Sequence, residues 1–109
     1  MIDPLAHRKE TDVLREIMLY LRARGVFHFR INTTGTWHPG RKIFLKPHNL
    51  TPGCADVIVL KSGKMICLEA KSPTGKQSPE QKQFEQNVKA SGGEYYLVRC
   101  VQDVINTGI

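Results

Sequence analysis

Apolar and polar positions along this chain follow two periods, and the changes of period mark its elements. Between Arg8 and Arg24, the residues Val13, Leu14, Ile17 and Leu21 recur at the spacing of a helix with one inward stripe, and Gly25 supplies a stop. From Val26 to Ile31 the spacing shortens to two, which predicts a strand with Phe27, Phe29 and Ile31 on one face. Asp56–Leu60 and Met65–Lys71 are two further predicted strands, joined by Lys61-Ser62-Gly63-Lys64, a hairpin turn by composition. Helical spacing then returns. Ser78 is a good N-cap, Pro79 suits the first helical position, and Gly92-Gly93 end the element. Its inner stripe is Gln81, Phe84, Val88 and Ser91. Glu94–Arg99 reads as a last strand and Val101–Ile105 as a short closing helix.

The order is helix–strand, hairpin, helix–strand. That implies an α/β fold with a central mixed sheet flanked by helices, and one domain spanning 1–109 with a loose arm over 1–7. Between Asn32 and Pro52 lies a long stretch of turn formers and basic groups, broken by a short candidate strand at Ile43–Leu45. A loop of that length inside so small a chain is usually functional.

The hairpin carries the candidate chemistry. If Ser62 and Gly63 are the two turn residues, Lys61 faces Lys64 and Asp56 faces Glu69, with both carboxylates on one side at roughly 5 Å between Cβ atoms. Lys71, two residues beyond Glu69, shares that face. A turn one residue longer would send Asp56 to the other side, so the arrangement rests on the turn. Opposed carboxylates repel, and a divalent cation with its preference for oxygen ligands removes the penalty. Glu10 lies on the buried stripe of the first helix, at its N-terminal end, and adds a third acid; Glu16 falls off that stripe. Gln81 opens the inner stripe of the second helix, where it is either the capping-box partner of Ser78 or a site residue. Each element alone is common: Glu-x-Lys occurs on many strand edges, and Glu10 also suits a helix N-terminus. Their ordered combination is what points to a metal site.

Composition narrows the partners. Sixteen Lys and Arg against ten Asp and Glu give a net charge of +6 and a pI near 9.5, a balance that attracts polyanions. Arg30, Arg41, Lys42, Lys46 and Lys76 are the candidate phosphate contacts, and Trp37 is either a base-stacking or wedging group or a lid for the core. Cys54, Cys67 and Cys100 are odd in number and widely spaced. They form neither a disulfide framework nor a zinc pattern with the histidines, and read as small apolar fillers in a reduced compartment. No apolar run approaches the roughly 20 residues of a membrane span, and Met1-Ile2-Asp3-Pro4 has no signal-peptide core; a soluble, cytoplasmic protein is expected.

The run Pro52-Gly53-Cys54-Ala55-Asp56-Val57-Ile58, then Leu68-Glu69-Ala70-Lys71 and Ser78-Pro79-Glu80-Gln81, resembles the virus-type replication-repair nuclease (VRR-NUC) domain of the PD-(D/E)XK superfamily. The likeness extends from about Glu10 through Arg30-Ile31-Asn32 to Gly93-Glu94-Tyr95-Tyr96 and Val101-Gln102-Asp103-Val104. Where relatives often carry Gln four residues after the leading acid, this chain has Leu14. The resemblance implies a restriction-endonuclease-like core that hydrolyses DNA phosphodiesters. Asp56, Glu69 and the Ala70 carbonyl would hold Mg²⁺ or Mn²⁺, one ion or two. Glu10 would contribute directly or through water, and Lys71 would orient or activate the attacking water. It also implies a Holliday-junction-resolvase-like homodimer on branched DNA. The resemblance does not locate the interface; Tyr95–Ile109 offers apolar residues for one, and the Thr33–Asn49 loop is the alternative. Two rivals share the same sequence features: a DNA-binding module that does not cut, and a basic scaffold protein with solvated acids.

Overall fold

The computed structural model describes residues 8–31, 36–45 and 51–109, with the side chains of all of these but 36, 37, 44 and 45. Along them run α1 (Glu10–Ala23), β1 (His28–Arg30), β2 (Thr36–His38), β3 (Ile43–Leu45) and β4 (Val57–Lys61). There follow β5 (Lys64–Ala70), α2 (Pro79–Ala90), β6 (Glu94–Val98) and α3 (Val101–Asn106). Four strands make one sheet in the order β1-β4-β5-β6; the first two pairings are antiparallel and β5 with β6 is parallel. A parallel neighbour requires a crossover, and α2 provides it. The fold is therefore α/β with a mixed sheet. No helix among the described residues is long and apolar enough to cross a membrane.

The β4–β5 turn sets the register. Ser62 and Gly63 both take positive φ, 53° and 77°, the pair of conformations that a two-residue type I′ turn needs. Lys61 consequently faces Lys64, and the ladder runs without slip to Val57 opposite Leu68.

Period two then sends alternate residues to opposite faces. On one, Val57, Val59, Ile66, Leu68, Ala70 and Val98 pack with the α1 stripe Val13, Leu14, Ile17 and Leu21 and with Val104 of α3. On the other, Ile58, Cys67 and Tyr95 meet Val88 of α2, with Phe84 and Ile31 at the margin.

Several expectations change. The strand read from Val26 to Ile31 has its regular core at His28–Arg30, with backbone bonds to β4 continuing at the Phe27 carbonyl and the Ile31 N–H, and its phenylalanine face stays open: Phe27 is 66% and Phe29 45% exposed. β1 is an edge strand, while α2 packs over β6 at the far edge, so no described helix reaches these rings. β2 lay hidden in a stretch rich in turn formers, where no alternation marked it; it pairs with β3 as a separate two-stranded ribbon. Ser91, placed on the inner stripe of α2 by spacing, is exposed and caps the helix C-terminus, donating its backbone N–H to the Asn87 carbonyl at 3.1 Å. Helix α1 begins at Glu10 rather than Arg8, where the Lys9 N–H donates to Asp12 Oδ2 at 3.2 Å. The expected arm at 1–7 lies outside the described residues.

Candidate functional site

Asp56 directly precedes β4 and Glu69 is the penultimate residue of β5, so the register brings both to the open end of the hairpin. Asp56 Oδ2 accepts the Ala70 N–H at 2.9 Å, which fixes one carboxylate oxygen. In an extended strand a residue's carbonyl lies on the same side as its N–H, so the Ala70 carbonyl also faces the Asp56 side. Glu69 is only 1% exposed. Its Oε1 accepts from Gln81 Nε2 at 2.8 Å, and Lys71 Nζ stands 3.8 Å from that same oxygen, close enough for charge attraction but beyond a hydrogen bond. Glu69 Oε2 is buried with no hydrogen-bond partner. Glu10 reaches over from the first turn of α1, and one carboxylate oxygen from each of Glu10, Asp56 and Glu69 lies within 4.8 Å of the others.

Three acids so close do not all ionise comfortably in a protein environment. Burial, then the neighbouring Asp56 charge, pushes the Glu69 carboxyl up to about 8; Lys71 pulls the other way and Glu10 adds to the rise. Glu10 is raised too, by desolvation first and Asp56 next, against the pull of Lys71. A cation among the oxygens would reverse this preference. The donor set fits a hard divalent ion: three carboxylates, one with a buried oxygen that no N–H donor reaches and that meets only the neighbouring Asp56 carboxylate. Cys54 stands nearby as a half-buried thiol, raised chiefly by burial and held neutral, and therefore a poor ligand.

The acids line a cleft of about 350 Å³ with Thr51, Gly53, Cys54, Ser78, Glu80 and Gln81. Gly53 shows how it closes. Its φ is +73°, and a Cβ there would lie 2.2 Å from the Glu80 carbonyl oxygen, so the loop before β4 rests on the first turn of α2 without room for a side chain. The two readings of Gln81 merge. Its Oε1 accepts the Ser78 N–H at 2.9 Å while its own N–H donates to Ser78 Oγ at 3.1 Å, a complete capping box. The same amide's Nε2 holds Glu69. Sequence reasoning did not place Thr51, Cys54 or Glu80 in the cleft; Gly53 ahead of a strand-opening Asp was the available signal. Of the three cysteines, Cys67 is the buried apolar filler expected, while Cys54 belongs to this wall.

The proposed phosphate contacts are dispersed. Arg30 is exposed on edge strand β1, Arg41 and Lys42 lie in the exposed turn between β2 and β3, and Lys76 is exposed in the loop before α2. Trp37 lies in β2 opposite Phe44 in register; its side chain, like all of Lys46, falls outside the described residues.

No protein-family model matches this sequence, and no curated protein matches it either.

Proposed function

We propose that the chain is a divalent-metal-dependent nuclease with a restriction-endonuclease-like core of the VRR-NUC kind, cutting DNA phosphodiesters. The observation that carries the reading is the orphaned Glu69 oxygen inside a three-carboxylate cluster with an ammonium beside it. A buried carboxylate oxygen without a donor is costly, and structures keep such atoms where a ligand or a reaction uses them.

Asp56, Glu69, Glu10 and the Ala70 carbonyl would hold Mg²⁺ or Mn²⁺. When bound, such an ion supplies Lewis acidity toward the phosphoryl group and its attacking water. The protein's own groups do the rest. The Ala70 N–H holds Asp56 in one rotamer, and the Gln81 amide holds Glu69, so neither carboxylate must reorganise on binding. Lys71, at 8% exposure, would bring a largely desolvated ammonium to where negative charge develops on the phosphoryl oxygens, and would orient the nucleophilic water. The net charge of +6 favours a polyanionic substrate. By resemblance alone, the reading extends to an intracellular homodimer acting on branched DNA, two identical sites making paired cuts.

Cleavage of supercoiled, linear, flapped and four-way DNA with Mg²⁺ or Mn²⁺ tests the activity. Asp56→Ala and Glu69→Ala should each lower turnover by at least three orders of magnitude. Lys71→Ala should slow the chemistry strongly while DNA affinity stays within a few-fold. Unchanged turnover in Glu69→Ala refutes the mechanism. Ca²⁺ should raise the melting temperature of the wild type and leave that of Glu69→Ala unmoved; a scaffold protein with solvated acids would show no rise. Light scattering with and without a four-way junction tests the dimer.

A further inference from the structure

Away from the acid cleft, a second hollow of about 450 Å³ runs between α1 and the free edge of the sheet at β1. Two basic rows bound it. Arg15 and Arg22 stand on α1 seven residues apart, roughly 10 Å along the axis, and His28 and Arg30 stand on β1 two residues apart on one face, roughly 7 Å along the strand. Leu14, Met18 and Leu19 make its floor, and Leu19 is 60% exposed there. Among the described residues no carboxylate lines the hollow; Asp12 touches Arg15 from outside it, at 3.2 Å, on an exposed surface where it offsets little. His28 Nδ1 is 2.7 Å from the Val26 carbonyl, which assigns that nitrogen its proton and leaves Nε2 as the ring's second polar atom.

The near end of the hollow is one residue from the acid cleft along α1, and the two share no lining residue. Thr11, at its near end, follows Glu10 in α1, and Arg30 pairs with Val57, the residue after Asp56. From there it leads away along α1 toward Arg22.

We propose that this α1–β1 groove is the track for a single nucleic-acid strand leaving the cleavage site, its phosphates held by Arg15, Arg22 and Arg30 and its unstacked bases laid on the apolar floor. The inference rests on the nuclease reading and adds its substrate class, DNA with an unpaired arm. Two features favour a single strand. Guanidinium rows match a row of phosphates, and releasing their counterions drives binding. A duplex facing the groove would present only phosphates and grooves to Leu14, Met18 and Leu19, whereas a single strand has base faces to bury against them. An acidic protein segment is the competing occupant, and the test includes it.

Fluorescence anisotropy in Ca²⁺ would compare a blunt duplex with the same duplex carrying a 15-nucleotide single-stranded tail, for wild type and Arg15→Ala/Arg22→Ala. Lys82→Ala/Lys89→Ala removes the same charge from α2 as a control. The tailed duplex should lose about tenfold in affinity in the arginine variant, far more than the blunt one. The slope of log K against log salt for the tail should fall by about 1.4, two cations at about 0.7 each. Equal losses for tailed and blunt duplex, or the same loss in the lysine control, would reduce the groove to diffuse charge and overturn the proposal. Displacement of the tail by polyglutamate at equal charge concentration would overturn it in favour of an acidic protein partner. Wild type that grips the tail through these arginines yet cuts no DNA keeps the groove and refutes the nuclease. Cutting with no preference for tails does the reverse.

Discussion

On one face of the sheet twelve buried apolar side chains join α1, α3, three strands and the C-terminal Ile109 into a continuous core; on the other, five buried side chains gather under α2. The same β4–β5 hairpin feeds both, because alternate residues of each strand point to opposite sides. The α1 side is filled to its end by Leu68 and Ala70. The α2 side runs out of apolar partners. At its open end Glu69 occupies the place a core residue would take, and toward the free edge (Phe27, Phe29) and the hairpin turn (Leu60, Met65) apolar side chains remain 41–66% exposed. Stability therefore resides mainly on one face, and the candidate site sits at the open end of the other, with Glu10 reaching over from α1. A site built where the smaller core ends can hold repelling carboxylates without undermining the larger one, and the strain of Glu69 is local.

The sharpest way to break this comparison is to cut into the larger core. Ile17→Ala, at 0% exposure, should cost about 2–5 kcal/mol, read by urea denaturation of metal-free protein. A loss below 1 kcal/mol would mean that α1 is not the main clamp.

The second test concerns the cost of the site itself. The Glu69 carboxyl is raised to about 8 in the folded chain, above its unfolded value of 4.5, so the folded state holds the proton more tightly. Stability is then fullest below about 4.5 and is lost as pH rises toward 8. Glu10, raised in the same direction, reinforces the trend. Metal-free wild type should melt at a lower temperature at pH 8 than at pH 5.5, and Glu69→Gln should flatten that dependence. An identical slope in Glu69→Gln would place the titration elsewhere.

Gln81 bridges the two roles, and its variants separate them. Gln81→Ala should cost about 0.5–1 kcal/mol through the lost capping box and also weaken catalysis. Gln81→Glu keeps an acceptor for the Ser78 N–H but turns a fourth carboxylate on Glu69 in place of the amide donor. Cap stability should survive with saturating Ca²⁺ while cleavage drops. Equal activity in Gln81→Glu and wild type would make the residue a cap alone.

The smallest effect belongs to the open face. Phe29→Ser should change stability by less than about 0.5 kcal/mol, since surface positions outside networks rarely matter more. A loss above 1.5 kcal/mol, especially one that grows with protein concentration, would show that a second copy covers this face.

How legible each part was follows from the range of the forces involved. The hairpin register, and with it the meeting of Asp56 and Glu69, was readable because a two-residue turn leaves one pairing, and both φ values depend on Ser62 and Gly63 themselves. The second helix was readable at both ends for the same reason: Ser78, Pro79, Gln81 and Gly92 act within one turn. The α1 stripe announced its buried face, because helical spacing is local too. Burial of the strand residues was not legible. Phe27 and Ile58 are equally apolar in sequence, yet α2 leaves one open while the other is buried, and that depends on which edge of the sheet the crossover reaches. Nor could spacing show that Glu80 would join the cleft, since a positive-φ glycine lets the loop before β4 come down on the first turn of α2. The double use of Gln81 needs both the cap and the distant Glu69. Nothing in spacing or motif singles out Arg15, Arg22 or His28 along the chain. They become one basic groove only when α1 packs beside an edge strand whose outer side stays unpaired among the described residues. Turns, caps and stripes are decided within a few residues of chain, while cover, cleft and groove are decided by surfaces far apart in sequence, and those only the packed molecule brings together.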